Sequence, residues 1–167
     1  MKVEIRAVVL TISDSAARGE KEDKTGPALM GELCSAGIAV VGAEVLPKDR
    51  EVIAEALRRH AAREEVNVIF TAGGTGLSPR DTTPEATKDV IEREVPGLPE
   101  VMRIANQEST PLAVLSRAVA GIRADTLIVN LPGSVRGVRE SFAAIRKILP
   151  HAIGTMTEQV RKCGGRE

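Results

Sequence analysis

The chain has 167 residues, with 23 lysines and arginines against 23 aspartates and glutamates. It is about one domain long and has no net field to draw nucleic acid or an anionic membrane. Trp and Tyr are absent, and Phe70 and Phe142 are the only aromatic residues, so no platform exists for stacking single-stranded bases.

From the N-terminus, residues 6–13 (RAVVLTIS) are a compact apolar run rich in branched side chains, the pattern of a strand buried on both faces. A polar loop is expected up to Lys24. Thr25-Gly26-Pro27 then opens a helix with Leu29, Met30, Leu33 and Cys34 on one face, stopped by Gly37. Residues 38–46 give a second strand. The turn Pro47-Lys48-Asp49-Arg50 leads into a helix capped by Asp49, with Val52, Ile53, Ala56 and Leu57 inward. A third strand covers 66–71. This alternation of strand and helix predicts a parallel sheet with right-handed crossovers.

A helix is expected over 83–94 and, after the break at Val95-Pro96-Gly97, another over 98–107 with Val101, Ile104 and Ala105 on its buried face. Residues 109–120 read as short helix or loop. Residues 126–131 (TLIVNL) form a buried strand, followed by a helix with Val138, Phe142, Ile145 and Leu149 along one side. A last helix, 152–161, precedes a short flexible tail at Gly164-Gly165. The whole of 1–167 therefore reads as a single α/β domain, three layers deep, with a mainly parallel sheet flanked by helices.

Cys34 and Cys163 fit no CxxC pattern and are expected as a core thiol and a free tail thiol, while His60 and His151 are expected at helix surfaces or caps. No apolar run is long enough to cross a bilayer, and residues 1–6 lead at once into a strand rather than a signal sequence. A cytoplasmic protein is expected, with no membrane and no nucleic-acid partner.

The stretch 71–87, TAGGTGLSPRDTTPEAT, supplies the chemistry. It is a strand exit, a glycine-rich loop and a helix start at Thr83-Pro84. Gly73, Gly74 and Gly76 leave backbone N–H groups uncovered, so an anionic group can approach closely. Gly76 is followed by Leu77, Ser78 and Pro79, so neither a Walker A loop nor the Rossmann fingerprint fits. Asp81, just before the helix start, is either an auxiliary cap or a Mg²⁺ ligand beside bound phosphates. In open parallel sheets ligands sit beyond the carboxyl ends of the strands. Three such exits carry small polar residues: Ser13-Asp14-Ser15, Gly73-Gly74-Thr75-Gly76 and Pro132-Gly133-Ser134. Each alone is adequate as a turn; together they can form one cleft.

These segments, with VPGLPEVMR at 95–103, LSRAVAGIR at 115–123 and LIVNLPGS at 127–134, resemble the molybdenum-cofactor biosynthesis family, nearest its molybdopterin adenylyltransferases. The resemblance runs from about Val8 almost to the end of the chain. It implies the molybdopterin-binding-domain fold and transfer of AMP from ATP to the terminal phosphate of molybdopterin, with Mg²⁺ as cofactor. It also implies a homotrimer and hand-over of product to a molybdenum-inserting enzyme. Asp49 and Asp81 match the two acidic positions tied to catalysis and the metal. Gly73, Gly74, Thr75 and Gly76 are assigned to the nucleotide phosphates. Ser116 and Arg117 match the pterin side, where Arg117 can pair bidentately with a phosphate or form a structural ion pair. Ser13, Asp14, Ser15, Thr25, Gly26, Pro132, Gly133 and Ser134 are further site members, several with adequate roles as caps or turns. Without aromatic side chains to stack on, adenine and pterin must be held by edges, backbone and aliphatic contacts. The chain departs from the family pattern at Ala72 and at Ser134-Val135, neither of which removes a proposed charge.

Overall fold

The computed structural model describes residues 3–157. The expected tail, Cys163 and the end of the last expected helix lie outside them. The elements are β1 (Arg6–Ile12), α1 (Asp14–Ala17), α2 (Thr25–Ser35), β2 (Ala39–Leu46), α3 (Arg50–Ala61), β3 (Val68–Ala72), α4 (Thr83–Lys88), β4 (Arg93–Glu94), α5 (Gly97–Gln107), a 3-10 helix (Pro111–Leu115), β5 (Ala120–Arg123), β6 (Thr126–Leu131), α6 (Val135–Ile145) and α7 (Leu149–Met156).

The strands form one sheet in the order β2-β1-β3-β6-β5-β4. β2, β1, β3 and β6 are parallel, while β5 runs antiparallel to β6, and β4 to β5. Successive residues of a strand point to opposite faces, and β1 shows the result. Ala7 and Val9 pack with α2, α5, α6 and α7, while Val8, Leu10 and Ile12 pack with α3 and α4. Helices on both faces explain why the central strands are continuous apolar runs rather than alternating ones. Phe70 and Phe142 meet edge to face in the first of these cores, with ring centroids 6.0 Å apart. No helix among the described residues is long and apolar enough to cross a membrane.

The structure corrects several expectations. The helix from Thr83 ends at Lys88 rather than at 94, because the following chain pairs with β5: Glu92 N donates to Ile122 O and Val95 N to Ala120 O. Thr82 holds the N-cap position of this helix, and the Thr83 hydroxyl donates to Gly73 O. α5 has the expected extent but a different phase. It buries Leu98, Met102 and Asn106, leaving Val101 and Ile104 exposed. Val52 on α3 is exposed as well, and Cys34 is an exposed thiol rather than a core one. His60 is buried against Glu44 and Arg63. The loop after β1 contains the short helix α1. Within 109–120 the structure has the 3-10 helix and the start of β5, and Leu149 opens α7 rather than extending α6.

Candidate active site at the carboxyl edge of the sheet

β1 leads across to β2 on one side, while β3 neighbours β6 on the other, so the loops leaving β1 and β3 diverge. Such a switch point opens a crevice. Three backbone approaches close its floor. Gly73 N donates to Leu131 O (3.1 Å), and Gly73 and Gly74 adopt φ of 110° and 70°. A side-chain carbon at Gly73 would run into Ile12 O, and one at Gly74 into the Thr83 hydroxyl. On the β6 side, a carbon added at Gly133 would lie 3.2 Å from Gly73 Cα. The β3 and β6 exits therefore touch, with little room for a side chain at Gly133 and none at Gly73, where Ile12 O blocks it.

Gly73 N is occupied by Leu131 O, but the N–H groups of Gly74, Thr75 and Gly76 have no partner among the described contacts. They are the part of the loop that can receive an anion. Ser134 caps α6 through its hydroxyl, which accepts from Gly137 N (3.0 Å). The Thr25 hydroxyl donates to Gly133 O (3.0 Å), and Asp23 accepts from Thr25 N and Gly26 N (3.0 Å each). Two hollows flank this junction. One, of about 340 Å³, is lined by Thr75, Gly76, Ser116, Pro132, Ser134 and Ser141, among others. The other, of about 350 Å³, takes in Ser13, Ser15, Thr25, Gly133 and Ser134. Ser134 borders both.

The charged residues lie beside the glycine loop. Asp14 accepts from Lys48 N (2.8 Å) and from Arg80 Nε and Nη2 (3.0 and 2.9 Å). These bonds, the Arg80 guanidinium first, hold its carboxyl below the usual range against the opposing effect of burial. Asp81 accepts from Lys48 Nζ (2.7 Å) and from Ser78 N (3.2 Å). Asp49 caps α3 as expected, accepting from Val52 N (3.0 Å), and its charge acts on Arg80. Lys48 thus joins Asp14, through its backbone N–H, to Asp81, through its ammonium, whereas the described hydrogen bond of Asp49 is the cap of α3. Among the described residues no group of three or more His, Cys, Asp or Glu side chains is arranged to hold a metal ion. The carboxylates suit a Mg²⁺ that arrives on a polyphosphate, an ion commonly held by one or two carboxylates plus substrate oxygens.

Arg117 is differently engaged from the phosphate pairing that the resemblance allows. Its Nε donates to Gly76 O (2.8 Å), its Nη2 to Asp81 O (2.6 Å), and its Nη1 pairs with Glu85. Burial pushes the Glu85 carboxyl up, but the Arg117 bond, its own backbone N–H and the charges of Arg117 and Arg50 hold it below the usual range. Arg117 N also donates to Thr75 O (2.8 Å). The residue fastens the far side of the glycine loop.

Residues 8–151 match the family described as "Probable molybdopterin binding domain". The chain belongs to that family. It is 36% identical over 147 residues to a molybdopterin adenylyltransferase of Helicobacter pylori strain J99, covering 87% of this chain and 84% of the relative. It is 42% identical over 155 residues to the molybdenum cofactor synthesis protein cinnamon of Drosophila melanogaster, covering 91% of this chain but 26% of that longer protein. Among solved structures, the molybdopterin biosynthesis enzyme MoaB from Thermus thermophilus superposes with a TM-score of 0.87 at 47% identity, covering 92% of this chain and 97% of that one.

Within this molybdopterin-binding domain, Lys48, Asp23, Glu85 and Asn130 also hold the site together, though no motif singles them out. Asn130 donates to the Thr71 and Thr87 hydroxyls (2.9 and 2.8 Å) and accepts from Val119 N (3.0 Å), tying β6 to β3, to α4 and to the segment entering β5. A polar residue inside the TLIVNL run was the available signal, because a buried amide is retained where all its hydrogen bonds are made. Lys48 carried none, since its partner Asp81 is 33 positions away.

Proposed function

We propose that this chain transfers AMP from ATP to the terminal phosphate of molybdopterin, giving adenylylated molybdopterin and pyrophosphate. An oxygen of the molybdopterin phosphate attacks the α-phosphorus of ATP, and the bond from that phosphorus to the β-phosphate bridging oxygen breaks. The attacking phosphate is already ionised near neutral pH, so no general base is required. The obstacle is repulsion between two polyanions, and the site answers it by positioning and electrostatics.

The observation that carries this reading is the junction of the β3 and β6 exits. It sets the unpartnered N–H groups of Thr75 and Gly76 at the wall of one hollow, next to Ser134, which also borders the second; the reading gives one hollow to each substrate. Asn106 Oδ1, a buried acceptor without a partner, belongs to a residue lining the 340 Å³ hollow, where it suits the amino edge of a pterin. Mg²⁺ carried by ATP would supply charge neutralisation, and Asp81 and Asp49 are the carboxylates that would hold it from the protein. Arg117 and Glu85 keep the loop in place during transfer.

The protein works in the cytoplasm as a homotrimer and passes its product to a metal-inserting enzyme. The exposed apolar side chains Ile104, Leu112, Val114 and Leu115 are of the kind that association covers. The Lys48–Asp81 ion pair favours a second reading, a protein that binds molybdopterin without adenylylating it, because it occupies the carboxylate assigned to the metal. Single-turnover transfer from α-labelled ATP with Mg²⁺ and fresh molybdopterin decides between them. Pterin-dependent adenylylated product with pyrophosphate release is expected; binding of molybdopterin without product establishes the second reading.

A further inference from the structure

Three cations engage the glycine loop or the carboxylates beside it, and two of them are fixed by more than one bond. Arg117 holds two backbone carbonyls and Glu85, and Arg80 grips Asp14 through two nitrogens. Lys48 differs. Its ammonium makes one described contact, to Asp81 Oδ1 at 2.7 Å, out of the three N–H donors that a lysine carries.

The ammonium is well placed for an anion. A side-chain carbon at Gly76 would lie 2.8 Å from Asp81 Oδ2, so the carboxylate that Lys48 touches lies directly against the glycine loop. The lysine side chain is 28% exposed and Asp81 only 11%, which leaves the cation on the open side of the pair. Its backbone is anchored separately, since Lys48 N donates to Asp14 Oδ1 (2.8 Å). The stem can therefore swing while the turn stays fixed. A flexible, compact point charge with donors to spare suits an arriving polyphosphate.

We propose that Lys48 is a nucleotide-binding residue whose ammonium moves from Asp81 to the triphosphate of ATP, leaving the Asp81 carboxylate free as the nucleotide enters. The inference rests on the adenylyltransferase reading for the identity of the nucleotide, though not for the anion site itself. The exchange places a positive charge beside the loop N–H groups and releases a negative one toward the nucleotide's metal. No bond is made or broken other than the ion pair.

The test is calorimetric titration of the folded protein with ATP and, separately, with inorganic tripolyphosphate, each with EDTA and with Mg²⁺. The wild type is compared with Lys48→Met, Lys48→Arg and Asp81→Asn, and the fold of each is checked by thermal melting. Lys48→Met is expected to weaken both anions by about tenfold, and Lys48→Arg to retain most of the affinity. In EDTA, Asp81→Asn is expected to tighten binding, since it removes the competitor for the ammonium. Equal binding by wild type and Lys48→Met, or equal weakening by Lys48→Met and Asp81→Asn, overturns the proposal, the latter by showing that Lys48 acts only through Asp81. Wild type that binds tripolyphosphate with this pattern but not ATP sinks the adenylyltransferase reading and leaves the Lys48 anion site standing. Failure to bind either anion overturns both.

Discussion

On its β5 side, the loop between β3 and α4 is held by Arg117 through the carbonyls of Gly76 and Asp81 together with Glu85; on its β2 side it is held by Lys48 and Arg80 through carboxylates alone. Arg117 is gripped by three acceptors at once, all of which an incoming anion would have to replace, whereas the Lys48 ammonium holds Asp81 through a single bond. A carboxylate paired with a cation can lose its partner to a phosphate. The first side is thus scaffold and the second is responsive, although both are rich in positive charge. Counting cations near a phosphate loop would have missed the distinction.

Substitutions should separate the two sides. Asp81→Asn is expected to leave the fold intact and lower AMP transfer by at least ~100-fold; turnover at the wild-type rate would remove Asp81 from the reaction and make its side of the loop scaffold as well. Gly73→Ala, which forces a side chain toward Ile12 O at φ 110°, should cost about 1–3 kcal/mol in chemical denaturation. Arg117→Met should cost about 1–2 kcal/mol, the Glu85 pair being more than a third exposed. It should also loosen residues 76–81 in hydrogen exchange; unchanged protection there would refute the scaffold role. Asp49→Ala should cost ~1 kcal/mol through the lost cap, whereas Asp49→Asn still caps, so any loss of transfer in the asparagine variant reports chemistry rather than stability. The smallest effect is that of pH. Asp14 and Glu85 have folded-state values below their unfolded ones. Their contribution is therefore complete above the unfolded carboxyl range and is lost as pH falls below about 4 through the folded values. An acid midpoint unchanged in the double variant Asp14→Asn, Glu85→Gln would count against it.

The central parallel strands were legible because a strand covered on both faces is a mainly apolar run without alternation, and RAVVLTIS and TLIVNL are such runs. The antiparallel half was not. β4 is two residues, Arg93–Glu94, both exposed, and nothing local marks them as a strand; their pairing with Gly121 and Ile122 decides it. In α5 the helical period was visible but its phase was not, because Asn106 occupies a buried position where an apolar residue is expected, its amide satisfied in part by the Ser141 hydroxyl at 2.8 Å. The glycine loop was marked as a candidate anion site by its composition alone. The roles of Arg117 and Lys48 depend on partners on distant segments, and no spacing rule encodes those.

The edge-to-face pair Phe70 and Phe142 accounts for every benzene ring in the chain. With neither Trp nor Tyr, the protein is almost transparent in the near ultraviolet and has no indole or phenol emission to excite or to quench. A bound pterin or adenine would therefore be the dominant chromophore of the complex. Its absorption can be followed directly through binding and transfer, with no label and little protein background to subtract.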